Sequence, residues 1–171
     1  MLEPDIQQNN GSEGLAVYDV PYMTRTRDLY RAQGYEQDYR WAHFEDTPFT
    51  ELKKPLSESR IAVITTAMPD TETGRSQRQV YSSNCDPIPE SLYTDELSWD
   101  KKATHTKDVA SFLPLNQLNQ LKAAGRIASI AEQFHSVPTD YSQRNTMEKD
   151  GPDILKRCQE DNVDIALLVP L

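Results

Sequence analysis

Two short segments, each with a continuous apolar run inside it, constrain this chain more than any other feature. Residues 60–67 read Arg-Ile-Ala-Val-Ile-Thr-Thr-Ala, and residues 163–169 read Val-Asp-Ile-Ala-Leu-Leu-Val. Each is too short for an ordinary helix, and each carries β-branched residues without polar alternation, the pattern of a strand covered on both faces. Ser57, Glu58 and Ser59 lead into the first run, and Met68, Pro69 and Asp70 end it.

The segments between the runs read as helices. Leu115, Leu118 and Leu121 recur at spacing three after Pro114, and Gly125 follows as a C-terminal cap, so residues 115–124 are expected to be helical. Gly151, Pro152 and Asp153 open a second helix through Glu160, whose buried side is Ile154, Leu155 and Cys158. Asp161 and Asn162 close it, Asn being able to take the left-handed cap conformation. Buried strands joined by helices imply an α/β fold, a Rossmann-like or flavodoxin-like parallel sheet with helices on both faces. The last strand reaches Val169, Pro170 and Leu171 with no helix after it, so the fold is expected to be incomplete at the C-terminus. In open α/β sheets, reactive groups gather at the carboxyl ends of strands, which points to a functional turn just beyond Leu171.

Elsewhere the chain is polar. With a mean hydropathy of −0.71, 11 prolines and 6 glycines, much of it must be loop. Residues 1–20 read as a flexible lead and 21–171 as the α/β domain, with a short helix expected over 22–33 that gathers Tyr22, Leu29 and Tyr30 on one side. Tyr35, Tyr39, Trp41, His43, Phe44 and Phe49 read as a lid packed over a core edge. The stretch from Asp70 to about residue 104 reads as either a functional loop or a region ordered by a partner, with Pro87 and Pro89 blocking regular structure around Cys85. The net charge of −9 argues against a nucleic-acid surface, which needs clustered Lys and Arg. No run of about 18 apolar residues reads as a membrane-spanning helix, and the acidic start is unlike a secretory signal. Cys85 and Cys158 show no metal-type spacing and read as reduced thiols, so a cytoplasmic location is expected.

Three stretches carry a resemblance to a known family. Residues 54–67 (KPLSESRIAVITTA) resemble the opening strand of the glycine/sarcosine/betaine/D-proline reductase selenoprotein B family. Residues 105–114 (HTKDVASFLP), followed by Leu118, Leu121 and Gly125, are similar to its histidine-x-x-aspartate stretch and proline-led helix. Residues 164–170 (DIALLVP) are similar to the strand that enters its selenocysteine- or cysteine-Pro-x-Cys turn. Met68 departs from the pattern, standing where the family has glycine.

The resemblance implies a redox subunit that cleaves a C–N bond of glycine, betaine, sarcosine, D-proline or a related amine with a dithiol/disulfide couple. Its selenocysteine or cysteine would follow Leu171 immediately, the chain ending there either because a UGA codon was read as a stop or because it is truncated. No cofactor is expected in this chain, whereas partner subunits would carry a pyruvoyl group and a thioredoxin-like or dithiol donor would supply electrons. Within the chain, His105, Asp108 and His135 are the acid/base or substrate-orienting candidates. The alternative is a non-catalytic fragment or scaffold that binds the other subunits. A His/Asp/His zinc site has spacing too loose to favour, and no G-x-S-x-G elbow supports a serine hydrolase.

Overall fold

The computed structural model of the protein describes residues 21–38, 43, 45–47, 50–97, 105–140 and 142–171. The chain divides into two units, Met1–Glu45 and Asp46–Leu171. The expected lead over 1–20, and Tyr39, Trp41, Phe44 and Phe49 of the aromatic stretch, lie outside the described residues.

The first unit contributes helix α1 (Tyr22–Ala32), which matches the expected helix. Gly34, at φ 89°, turns the chain after it, and the Tyr35 ring meets Tyr30 edge-on with centroids 5.5 Å apart. Arg31 closes the turn with two bonds of 2.7 Å to the Asp38 carboxylate. Tyr22 and Leu29 remain exposed.

The second unit is a mixed α/β fold. Its elements run β1 (Arg60–Thr65), α2 (Glu72–Ser76), β2 (Tyr81–Asn84), α3 (Leu115–Ala123), β3 (Ser129–Ile130), β4 (Gln133–Ser136), α4 (Gln143–Asn145), α5 (Gly151–Glu160) and β5 (Ile165–Val169). β1 is the central strand and pairs in parallel with β5 along Ile61–Thr65. That occupies one edge of β1, so β3 and β4, also parallel to it, must share the other. They form one interrupted strand: Arg60 faces Ser129 but Ile64 faces His135, so Ala131 and Glu132 sit in a bulge. β2 pairs antiparallel with β4.

The alternation of β1 separates two cores. Ile61 and Val63 join Phe112, Leu113, Leu115, Leu118, Ile127 and Phe134 beneath α3. Ala62 packs from the other face against Ala131 and Cys158, with Ile154 at the margin, beneath α5. Helices therefore cover both faces, and β1 is buried along nearly its whole length, as its unbroken apolar run requires. The two caps expected from sequence have left-handed backbones, Gly125 at φ 66° and Asn162 at φ 51°. At the amino ends of the strands, Asp164 Oδ2 accepts from the Arg60 amide and pairs with Lys54 Nζ, both at 2.7 Å, while Arg60 reaches Asp161 at 2.5 Å.

Two expectations are corrected. The stretch after Asp70 is not a continuous loop. Thr71 caps α2 by accepting from the Gly74 amide at 3.0 Å, and Tyr81–Asn84 becomes a strand because β4 supplies its backbone partners. The last strand is not buried on both faces either. Leu167 is 37% exposed and Leu168 67% exposed. α5 packs over Ala62 and Ala131 and leaves Leu168, at the sheet margin, uncovered.

Candidate functional site

The chain leaves β1 for β4 by way of α3 on one face and returns past β1 to β5 by way of α5 on the other. Such a reversal opens a crevice outside the carboxyl ends of the strands, where open α/β sheets hold their ligands. A cleft of about 360 Å³ lies there, lined by Thr66 and Met68 after β1, Pro138 and Asp140 after β4, and Gly74 to Arg78 from α2 and the turn beyond it.

Local sequence explains the cleft walls. Met68 and Tyr93 exchange backbone hydrogen bonds of 2.9 and 2.8 Å, which set the tyrosine against the end of β1. The departure from glycine at Met68 therefore falls in an extended bridge, where a side chain is tolerated. Gly74 is tightly constrained: a Cβ there would stand 2.1 Å from the Pro69 carbonyl oxygen. Arg78 braces the opposite wall. Its Nε bonds Asp140, and Nη1 and Nη2 grip the buried Asp150 at 3.1 and 2.6 Å. The Arg78 and Asn145 side chains hold the Asp140 carboxyl down at about 2 despite the opposing effect of burial. Thr66 joins the third strand end, its Oγ1 accepting from the Leu171 amide at 2.9 Å.

The three residues expected from sequence fall in different places. His105 is exposed and precedes Thr106, whose hydroxyl lies 2.7 Å from that of the cleft-lining Thr94; His105 itself does not line the cleft. Its Nδ1 accepts from the Lys107 amide at 3.3 Å. Asp108 accepts from the Ala110 amide at 3.2 Å and starts the 3-10 turn that delivers Phe112 to the core. His135 lies within β4, 4% exposed, with Nδ1 2.9 Å from Ser82 Oγ. It shares the sheet face of Ile64, the face that α5 covers. Its polar neighbours are Ser82, Arg157, Asp153 and Asp161, so it does not join His105 and Asp108 in one cluster.

Neither cysteine is poised as a nucleophile. Burial first, then Asp161, pushes the Cys85 thiol up to about 11, and the same two influences raise Cys158. Among the described residues, no three His, Cys, Asp or Glu side chains come together to hold a metal ion. No helix among them is long and apolar enough to cross a membrane.

The sequence reading missed Arg75, Arg78, Tyr93 and Asp140. The available signal was the Thr-x-x-Gly turn with two arginines directly after a strand's carboxyl end. Arg78 owes its orientation to acids more than sixty residues away, which local pattern does not reveal. Among the described residues, fold and cleft together define a mixed α/β protein with a mostly parallel five-stranded sheet and a polar crevice at its strand ends. No known protein family, curated protein or solved structure matches the chain.

Proposed function

We propose that the chain belongs to a redox subunit of selenoprotein-B type, which reductively cleaves the C–N bond of glycine, betaine, sarcosine, D-proline or a related amine. The observation that carries this reading is the 2.9 Å bond from the Leu171 amide to Thr66 Oγ1. It holds the carboxyl end of β5 against a residue that lines the cleft. By resemblance, the selenocysteine or cysteine follows Leu171 directly, so the chalcogen would be delivered to the crevice rim. A turn into a helix at that point would favour its anionic form.

The chemistry expected is nucleophilic. The chalcogenolate attacks the substrate α-carbon and forms a carbon–chalcogen bond, while the C–N bond breaks with its electron pair leaving on nitrogen, which takes up a proton. A dithiol then supplies two electrons, becomes a disulfide and frees the reduced product. Partner subunits would carry the pyruvoyl group, and a thioredoxin-like protein or dithiol would be the donor. Of the acid/base candidates, His105 and Asp108 are exposed and His135 is buried.

The test has two parts. The nucleotide sequence after Leu171 should show an in-frame UGA or cysteine codon followed by Pro-x-Cys. The chain extended through that segment should then oxidise a dithiol in the presence of amine and partner subunits, whereas the 171-residue chain should not. A different codon with no such continuation, or an extended chain without amine-dependent thiol loss, would overturn the proposal. A scaffold role is the second reading, favoured by the uncovered Leu168 at the margin of the sheet. It predicts an inactive extended chain whose assembly with other subunits weakens in Leu168→Glu.

A further inference from the structure

A second cavity, of about 560 Å³, lies on the α3 side of the sheet and shares no lining residue with the strand-end cleft. Its volume is that of an ordinary small-molecule pocket. Three elements meet around it: the end of β2 with the turn after it, one stripe of α3, and the bulge between β3 and β4. Leu115, Asn119 and Lys122 form the stripe, at the spacing that puts them on one helix face. The bulge is fixed from two sides. The Cys85 amide donates to the Glu132 carbonyl at 2.8 Å, and the Glu132 amide donates to Asp161 Oδ2 at 3.2 Å.

The floor of the cavity is apolar, because Ile88, Leu115 and Ile130 belong to the core beneath α3 or to its margin. Cys85 stands beside them with its thiol pushed up to about 11, by burial and then by Asp161, so it adds no charge. The rim is polar, and its side chains are free where those of the strand-end cleft are engaged with one another. There Arg75 bonds Asp70, and Arg78 bonds Asp140 and Asp150. Here the side chains of Asp86, Asn119, Lys122 and Glu132 have no hydrogen-bond or ionic partner among the described residues. Asn84 Oδ1 accepts from Gln133 Nε2 at 3.4 Å, and its Nδ2 has no acceptor among the described residues.

These features together select a ligand. An apolar floor suits a flat ring, and a carboxamide offers a donor and an acceptor side by side, the match for a base edge that carries both. Carboxylates accept from sugar hydroxyls, as an acid does from ribose in dinucleotide sites. Asp86 and Glu132 outnumber Lys122, which disfavours a phosphate. We propose that this cavity binds an uncharged nucleoside, with its base on the apolar floor against Asn84 and Asn119 and its ribose hydroxyls on Asp86 and Glu132. The site goes beyond the reductase reading and does not depend on it.

The experiment titrates the 171-residue chain with adenosine and follows the isoleucine methyl resonances by NMR. AMP tests the effect of charge, and benzyl alcohol tests an aromatic ring without a base edge. Adenosine should shift the Ile88 and Ile130 methyls saturably. It should also slow alkylation of Cys85 by iodoacetamide while leaving Cys158, in the opposite core, unaffected. AMP should bind more weakly, with the gap closing as salt is added, and benzyl alcohol should bind more weakly at any salt concentration. Asn119→Leu and Glu132→Ala should each weaken adenosine binding about three- to tenfold, the effect of losing one hydrogen bond. Both positions are exposed, so both variants should keep the wild-type melting temperature. No saturable shift with adenosine, AMP or benzyl alcohol binding as tightly as adenosine, or unchanged affinity in both variants would each overturn the proposal. Adenosine binding needs no dithiol oxidation, so this site and the reductase reading can fail separately.

Discussion

Ser82 Oγ lies 2.9 Å from His135 Nδ1, and Arg157 Nη1 donates to the same serine oxygen at 2.8 Å. Arginine can only donate, so the serine oxygen accepts from Arg157 while the same hydroxyl hydrogen-bonds the His135 imidazole. Asp153 completes the chain by gripping Arg157 through two bonds of 3.0 and 2.9 Å. The apolar contact beneath α5 is small, built on Ala62, Ala131 and Cys158. This polar chain is therefore a substantial part of what ties α5 to β2 and β4.

A pH dependence follows from that arrangement. Burial, and then the Arg157 guanidinium, hold the His135 pKa below its ordinary value, while Asp153 and Asp161 oppose them without reversing the direction. The folded pKa is thus lower than the unfolded one, and the folded protein prefers neutral imidazole. Stability from this group is complete above the unfolded value of about 6.5 and is lost as pH falls through the folded pKa. Urea midpoints measured from pH 7.5 down to about 5 should decline, and His135→Gln should flatten that decline. Asp140, Asp153 and Asp164 have lowered pKa values, so their contributions disappear only below the ordinary carboxylate range of about 4. An unchanged slope in His135→Gln would show that the imidazole does not titrate on unfolding.

Gly74→Ala should damage the cleft without touching the core. The added methyl would meet the Pro69 carbonyl oxygen at 2.1 Å and Thr71 Oγ1 at 3.1 Å, and the first of these is backbone that cannot rotate aside. Relief requires opening the turn that sets Arg75 against Asp70 and Tyr93. The expected cost is about 1–3 kcal/mol, the usual range for forcing a methylene into a filled site. Amide exchange should accelerate over residues 70–78 more than in β1. A stability and exchange pattern like wild type would mean the turn is softer than its geometry indicates.

Arg78 and Asp150 should prove strongly coupled. Asp150 is 4% exposed at its side chain and Arg78 is 32% exposed, so removing Arg78 strands a buried carboxylate, whereas removing Asp150 leaves Arg78 paired with Asp140 alone. Cutting a fully buried pair on one side costs about 3–5 kcal/mol. Access of water to Arg78 lowers the expectation for Asp150→Ala to about 2–3 kcal/mol. The Arg78→Ala, Asp150→Ala double variant should lose less than the sum of the singles, by at least about 0.5 kcal/mol. Strict additivity in the chemical-denaturation cycle would show that the two contribute independently.

How much of this could be read in the sequence depended on how local each determinant was. Gly125 and Asn162 were legible as helix ends because a cap is decided within one turn, and both take the left-handed backbone. The central strand was legible because Ile61–Ile64 has no polar residue to turn toward water. β2 was not, since Tyr-Ser-Ser-Asn has no apolar alternation and becomes a strand only by pairing with Gln133–Ser136. The exposure of Leu168 was hidden for a related reason: composition shows that a strand is apolar, not which side of it the next helix crosses. In the cleft, Asp70 and Arg75 stand five positions apart and could have been suspected as a pair. The grip of Arg78 on Asp150 spans 72 positions and could not.

The two apolar ends of the burial range should respond oppositely to substitution. Phe134 has no exposure and packs in β4 against the core beneath α3. Phe134→Ala removes most of a buried ring that the strand backbone cannot collapse to fill, so about 3–5 kcal/mol should be lost. Leu168, 67% exposed on the partly covered β5, forms none of the core, and Leu168→Thr should change stability by no more than about 0.5 kcal/mol. Thr is β-branched and suits a strand, so any larger loss would not come from propensity. Urea unfolding of the two variants, with the protein dilute enough to exclude association, makes the comparison. A large loss in Leu168→Thr under those conditions would mean that the outer side of β5 is covered within the chain itself, and the scaffold reading would lose the surface it relies on.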